Sequence, residues 1–190
     1  VTGAPAGLRD RRINIVQGEQ HVDRDPHVVL TTILGSCVAA CLFDPVAAIG
    51  GMNHFLLPGD QPGRESSNAG NGAMRYGAYS MELLINGLLR EGAARHRLKA
   101  KLFGGARMLR GLTDVGNSNA AFAERFLHEE GIAVVGGSRR GERGRRIQFW
   151  PATGRAQQIE FGTDRDSIFR SESRITPPPA PASSGSLELF

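Results

Sequence analysis

A chain of 190 residues is long enough to bury a full core without help from disulfides or a structural metal. Its 40% hydrophobic and 22% charged residues suit a globular protein, and no apolar run is long enough to span a bilayer as a helix. The formal charge is +4, with a cluster at Arg139, Arg140, Arg143, Arg145 and Arg146, but no interleaved aromatics or nucleic-acid motif accompany it. A solvated loop entering a strand is expected there, with no nucleic-acid partner.

In chain order, residues 1–11 read as a flexible leader, with Arg9, Asp10 and Arg11 but no apolar stretch of the kind a secretory signal needs. Ile13-Asn14-Ile15-Val16 and the run 28–34 read as strands. A strand, turn, strand unit follows: Val38-Ala39-Ala40-Cys41-Leu42-Phe43, a turn at Asp44-Pro45, then Gly50-Gly51-Met52-Asn53-His54-Phe55-Leu56-Leu57. Residues 59–73, rich in Gly, Ser and Asn, read as a long loop. Met81, Leu84, Ile85, Leu88 and Leu89 fall at helical spacing, and Gly92 supplies a stop. A strand at 98–103 leads into Gly104-Gly105, and a second helix is expected over 119–130, capped by Ser118 or Asn119 and ended by Gly131. Strands are expected at 132–135, 146–150 and 157–161, the last two joined by the turn Pro151-Ala152-Thr153-Gly154. The sequence thus divides into a leader (1–11), one catalytic domain (12–170) and a Pro- and Ser-rich tail (171–190) that reads as disordered.

The chemistry concentrates in the strand, turn, strand unit. Cys37 follows Gly35 and Ser36, a turn that brings its thiol near the surface and frees backbone N–H groups for other use. Cys41 lies inside the apolar run and reads as core. On one strand the two thiols would share a face about 13 Å apart, too far for a disulfide, so a reducing, cytoplasmic setting is expected. His54 lies nine residues beyond Pro45 and Cys37 seven before Asp44, a register that can bring thiol and imidazole together. Such a pair suits acyl transfer on an amide or ester. Cys37, Cys41 and His54 do not match a zinc spacing, and Gly104-Gly105 lacks the lysine of a phosphate loop, so no metal or cofactor is expected. Those glycines are expected to permit close backbone packing instead.

Taken in order, these blocks resemble the chemoreceptor glutamine deamidase family, CheD. Thr31-Thr32-Ile33-Leu34-Gly35-Ser36-Cys37-Val38-Ala39-Ala40-Cys41-Leu42-Phe43-Asp44-Pro45 is similar to the family's nucleophile segment, and Gly50-Gly51-Met52-Asn53-His54-Phe55-Leu56-Leu57-Pro58 to its histidine segment. Arg75-Tyr76-Gly77 and Lys99-Ala100-Lys101-Leu102-Phe103-Gly104-Gly105-Ala106 are similar to later blocks.

The resemblance implies Cys37 as nucleophile, His54 as base and Thr31 as orienter of the imidazole, with Thr32 as the neighbouring alternative. Backbone N–H groups at Gly35, Ser36 and Cys37 would support the oxyanion. It also implies a layered α-β-β sandwich with mixed and antiparallel sheets and two main helices, akin to glutamine-deamidating toxins. The implied substrates are glutamines on the cytoplasmic helices of methyl-accepting chemotaxis receptors, with a CheC-like phosphatase as a further partner. Another Cys–His hydrolase, such as a receptor methylesterase or peptidase, and a non-catalytic chemotaxis adaptor are the competing readings.

Overall fold

A computed structural model describes residues 10–57, 69–108 and 114–161. The strands are β1 (Arg11–Asn14), β2 (Gln20–Asp23), β3 (Val28–Leu34), β4 (Val38–Asp44), β5 (Ile49–Asn53), β6 (Lys99–Gly104), β7 (Ala133–Arg139), β8 (Arg145–Trp150) and β9 (Arg155–Glu160). The helices are α1 (Ala69–Arg90) and α2 (Val115–Glu129), with a 3-10 turn at Arg95–Arg97. One sheet runs β1-β3-β8-β9 and the other β2-β5-β4-β6-β7, both of mixed direction. With the helices on the outer face of the larger sheet, this is the layered α-β-β sandwich.

β4 explains the layering. Every one of its residues is buried, as expected of a central strand covered on both faces. Val38, Ala40 and Leu42 pack toward the helices, with Met81, Leu84, Ile85 and Leu88 of α1 and Ala120, Ala123 and Leu127 of α2. Ala39, Cys41 and Phe43 point the other way, into a core between the sheets with Leu30, Leu34 and Phe149. Phe43 and Phe149 meet there with ring centroids 6.5 Å apart.

The turn that ends β4 is fixed by Asp44, whose Oδ1 accepts from the N–H groups of Val46 and Ala47 at 2.9 and 3.1 Å. The Arg97 guanidinium donates to both carboxylate oxygens at 2.8 to 3.1 Å. Burial pushes the Asp44 carboxyl up, but the guanidinium and the N–H groups of Ala94, Ala47 and Val46 together outweigh it and hold it well below the usual carboxylate range.

Several boundaries differ from expectation. The first strand starts at Arg11, inside the expected leader, and β2 was not anticipated because its four residues are only half-buried and carry little alternation. Helix α1 begins at Ala69, so the end of the expected loop is helical; residues 1–9 of the expected leader, 58–68, the end of the expected domain from 162 and the whole expected tail 171–190 lie outside the described residues. Helix α2 begins four residues earlier than expected, and its cap is Asp114, whose Oδ1 accepts from Asn117 N–H at 3.0 Å. Asp114→Ala is accordingly expected to cost about 1 kcal/mol in chemical denaturation, whereas Ser118→Ala should cost little. A larger loss from Ser118 would return the cap to the later position.

The arginine cluster is not a plain solvated loop. Arg145 is 2% exposed, donating to the Ser138 hydroxyl at 2.7 Å and to the carbonyls of Ser138 and Arg140. Arg139 and Arg140 both pair with Glu124 of α2. The guanidiniums tie the β7–β8 connection to itself and to the helix layer, using their fixed forks to satisfy carbonyls a lysine would reach less well. No helix among the described residues is long and apolar enough to cross a membrane.

Candidate active site

Cys37 stands where the chain leaves the smaller sheet at Leu34 and enters the larger one at Val38. The turn between is held by its carbonyls. Gly35 C=O accepts from Ala106 N–H at 2.9 Å, Ser36 C=O from the Asn119 amide at 2.9 Å, and Cys37 C=O from Gly105 N–H at 2.8 Å. The Gly104-Gly105 loop must come this close. Gly104 has φ +103°, and a Cβ there would lie 2.1 Å from the Cys37 carbonyl oxygen. The expected close-packing role of these glycines is what the structure displays.

Beyond β5 the chain makes one more bridge, in which Val38 and Phe55 exchange both backbone hydrogen bonds at 3.0 and 2.9 Å. That pairing continues the β4–β5 register, in which Cys41 faces Met52. Cys37 and His54 therefore fall on one face as diagonal neighbours, about 7 Å apart at the backbone, a span long side chains can close. His54 is strapped from its other side, its N–H donating to Glu19 C=O at 3.0 Å and its carbonyl accepting from Gly18 N–H at 2.7 Å.

The hydroxyl on the imidazole belongs to Thr32, not Thr31. Thr32 Oγ1 lies 2.9 Å from His54 Nδ1 and donates to Ile15 C=O at 2.7 Å. Having given its hydrogen to the carbonyl, the hydroxyl accepts at His54, so the proton sits on Nδ1. In β3, alternation turns Val28, Leu30, Thr32 and Leu34 to the inside, and Thr31, half-buried, faces the opposite side. Thr31 helps only through its carbonyl, which accepts from Ile15 N–H at 2.8 Å. Motif spacing alone does not register which of two adjacent threonines faces inward.

His54 Nε2 is buried and meets no hydrogen-bond partner among the described residues. Burial pushes the imidazole down to about 4, against the hydrogen bond to Ile15 C=O and the Glu19 charge. At neutral pH the ring is thus uncharged, Nδ1 holds the proton, and Nε2 carries a lone pair. Cys41, fully enclosed beneath it in the sheet core, has its thiol pushed far up by burial. It is packing, as expected of a cysteine inside an apolar run. Among the described residues no group of three His, Cys, Asp or Glu side chains gathers to hold a metal.

Two residues beside the nucleophile turn have contacts that the sequence does not indicate. Gln17, exposed on the strap over His54, places Oε1 3.6 Å from Cys37 Sγ, where it accepts from the thiol and covers it. Iodoacetamide should therefore modify Cys37 several-fold faster in Gln17→Ala than in the parent protein, with Cys41 untouched in both; an unchanged rate would mean the amide does not shield the sulfur. Asn119, anticipated as a helix cap, is instead wholly buried and bonded to Ser36 and Leu57.

The family described as CheD chemotactic sensory transduction matches residues 56–159. Over nearly its whole length the chain is similar to the probable chemoreceptor glutamine deamidase CheD of Acidiphilium cryptum (strain JF-5), 64% identical over 180 residues that cover 95% of this chain and 94% of the relative. The protein of the same description from Caulobacter vibrioides (strain NA1000 / CB15N) is 54% identical over 180 residues, covering 94% and 93%. A solved structure, the Bacillus licheniformis hypothetical protein YfiH, aligns at 14% identity and TM-score 0.40, over 68% of this chain and 60% of that one.

Proposed function

The chain belongs to the CheD family, and from that premise we propose that it hydrolyses glutamine side chains of methyl-accepting chemotaxis receptors to glutamate, in the cytoplasm, through a thioester on Cys37. The observation that carries the chemistry is the chain from His54 Nδ1 through Thr32 Oγ1 to Ile15 C=O, which leaves Nε2 as a buried lone pair on the strand face that also bears Cys37.

Each group then has a role its environment suits. His54 Nε2 takes the Cys37 proton as sulfur attacks the carboxamide carbon, and the imidazolium that forms is held by Thr32. The oxyanion is met by N–H groups of the Gly35-Ser36-Cys37 turn. His54 returns the proton to the departing nitrogen, ammonia leaves, and Cys37 holds the acyl group as a thioester. His54 next takes a proton from water, which adds to the thioester carbon; glutamate forms and the thiol is restored. Because the imidazole is neutral at rest, the thiol proton moves during attack rather than before it.

The test is incubation of the protein with a receptor cytoplasmic fragment and mapping of products by mass spectrometry. Conversion of specific glutamines to glutamate, lost in Cys37→Ala, is the expected result. Backbone cleavage, or demethylation alone, would point to another Cys–His hydrolase, and receptor binding without chemistry to an adaptor.

A further inference from the structure

We propose that Asn119 is a positioning residue for the oxyanion step: it fixes the Ser36–Cys37 peptide so that the Cys37 N–H faces the reacting carbonyl. The inference rests on acyl transfer at Cys37 and goes beyond it by assigning the group that orients the donor.

Asn119 reaches both arms of the site from α2. Its Nδ2 donates to Ser36 C=O, immediately before the nucleophile, and its Oδ1 accepts from Leu57 N–H, three residues beyond His54, each at 2.9 Å. The Asn119 side chain is itself fully buried, and its bond to Leu57 lies wholly inside the protein. The peptide bonds described are trans, so pulling Ser36 C=O toward α2 turns the Cys37 N–H the opposite way. That side of the larger sheet is the inter-sheet side, into which the Cys37 side chain also points.

The backbone around it is built for this reach. Gly116, three residues before Asn119, sits so close to the loop after β6 that a Cβ would lie 2.3 Å from Ala106 C=O and 2.7 Å from Gly105 C=O. Gly105 and Ala106 are the residues whose N–H groups hold Cys37 and Gly35. Helix, loop and nucleophile turn are therefore locked backbone to backbone, with the Asn119 amide closing the one carbonyl the loop does not reach. A buried asparagine that only satisfied two orphaned groups would stabilise the fold without touching one chemical step more than another.

Two reactions of Cys37 separate these roles. Acylation by p-nitrophenyl acetate passes through a tetrahedral oxyanion, whereas alkylation by iodoacetamide displaces iodide at a saturated carbon and forms none. Asn119→Asp keeps the shape and the acceptor for Leu57 but sets a carboxylate against Ser36 C=O; Asn119→Ala removes both bonds. In both variants acylation is expected to fall about 100-fold, with alkylation of Cys37 as in the parent. Deamidation should lose kcat with KM unchanged. Parallel loss of acylation and alkylation, alkylation of Cys41 in both variants as the fold opens, or acylation at the parent rate would each overturn the proposal. The ester assay needs no receptor, so a parent protein that acylates but leaves receptor glutamines unchanged would sink the deamidase reading and not this one.

Discussion

Replacing His54 with alanine is expected to lower deamidation of a receptor fragment by about 10³-fold, the usual scale for removing a positioned general base. Thr32→Val should cost less, about tenfold. The methyl keeps the shape, and when the hydroxyl is lost Ile15 C=O, already 3.4 Å from Nδ1, can take over as acceptor. Thr31→Val keeps the carbonyl that holds Ile15 and should remain near the parent rate. Steady-state kinetics on the three variants decide the assignment. A larger loss in Thr31→Val than in Thr32→Val would give the orienting role to the residue on the outer face of β3. A fully active His54→Ala would end the Cys–His mechanism.

What the sequence exposed and what it hid follow from the range of the interactions. The run at 38–44 is buried on both faces and that at 28–34 along one face with Thr31 and Ile33 half-buried on the other, and composition marks both. The Gly-Ser turn sets Cys37 apart from Cys41 in sequence, although it leaves the Cys37 thiol buried and not near the surface. Thr32 enters from sequence only as the alternative to Thr31, and the contacts of Gln17 and Asn119 are not legible there, because each acts across a distance in sequence. Thr32 bonds a histidine 22 residues away, Gln17 a thiol 20 away, and Asn119 a carbonyl 83 away. An asparagine near a helix start reads locally as a cap. The Asn119 bond to Ser36 C=O, with the backbone contact of Gly116 on Gly105 and Ala106, shows that this turn of α2 is buried against the nucleophile turn and the loop that holds it. Arg145 misled for a related reason: its neighbours in sequence are glycines and charges, yet the carbonyls it satisfies belong to the turn it closes.

Folding stability should fall by about 3 kcal/mol between pH 6.5 and pH 4 through His54 alone, the gap between its ordinary value of 6.5 and about 4 in the folded protein. The sign follows from the depressed value. Above pH 6.5 the imidazole is neutral in both states. As pH falls from there the unfolded chain takes up a proton that the folded site refuses, and below about 4 both states are protonated and the loss is complete. The groups facing the ring are Thr32, Ile15 C=O and the Glu19 charge; the Ile15 hydrogen bond and the Glu19 charge both oppose the trend, and burial outweighs them. Asp44 acts in a separate window, since its contribution persists until the ordinary carboxylate value of 3.8 is approached and is lost below it. Urea denaturation at a series of pH values, for the parent and for His54→Gln, isolates the term. The variant is expected to lack the His54 part of the decline between pH 6.5 and 4, keeping only the shallower loss near pH 4 from Glu124, which Arg140 holds below its ordinary value of 4.5. Equal slopes in the two would mean that the imidazole is hydrated and ordinary in the folded protein, and with that the buried lone pair on which the proposed base depends would be gone.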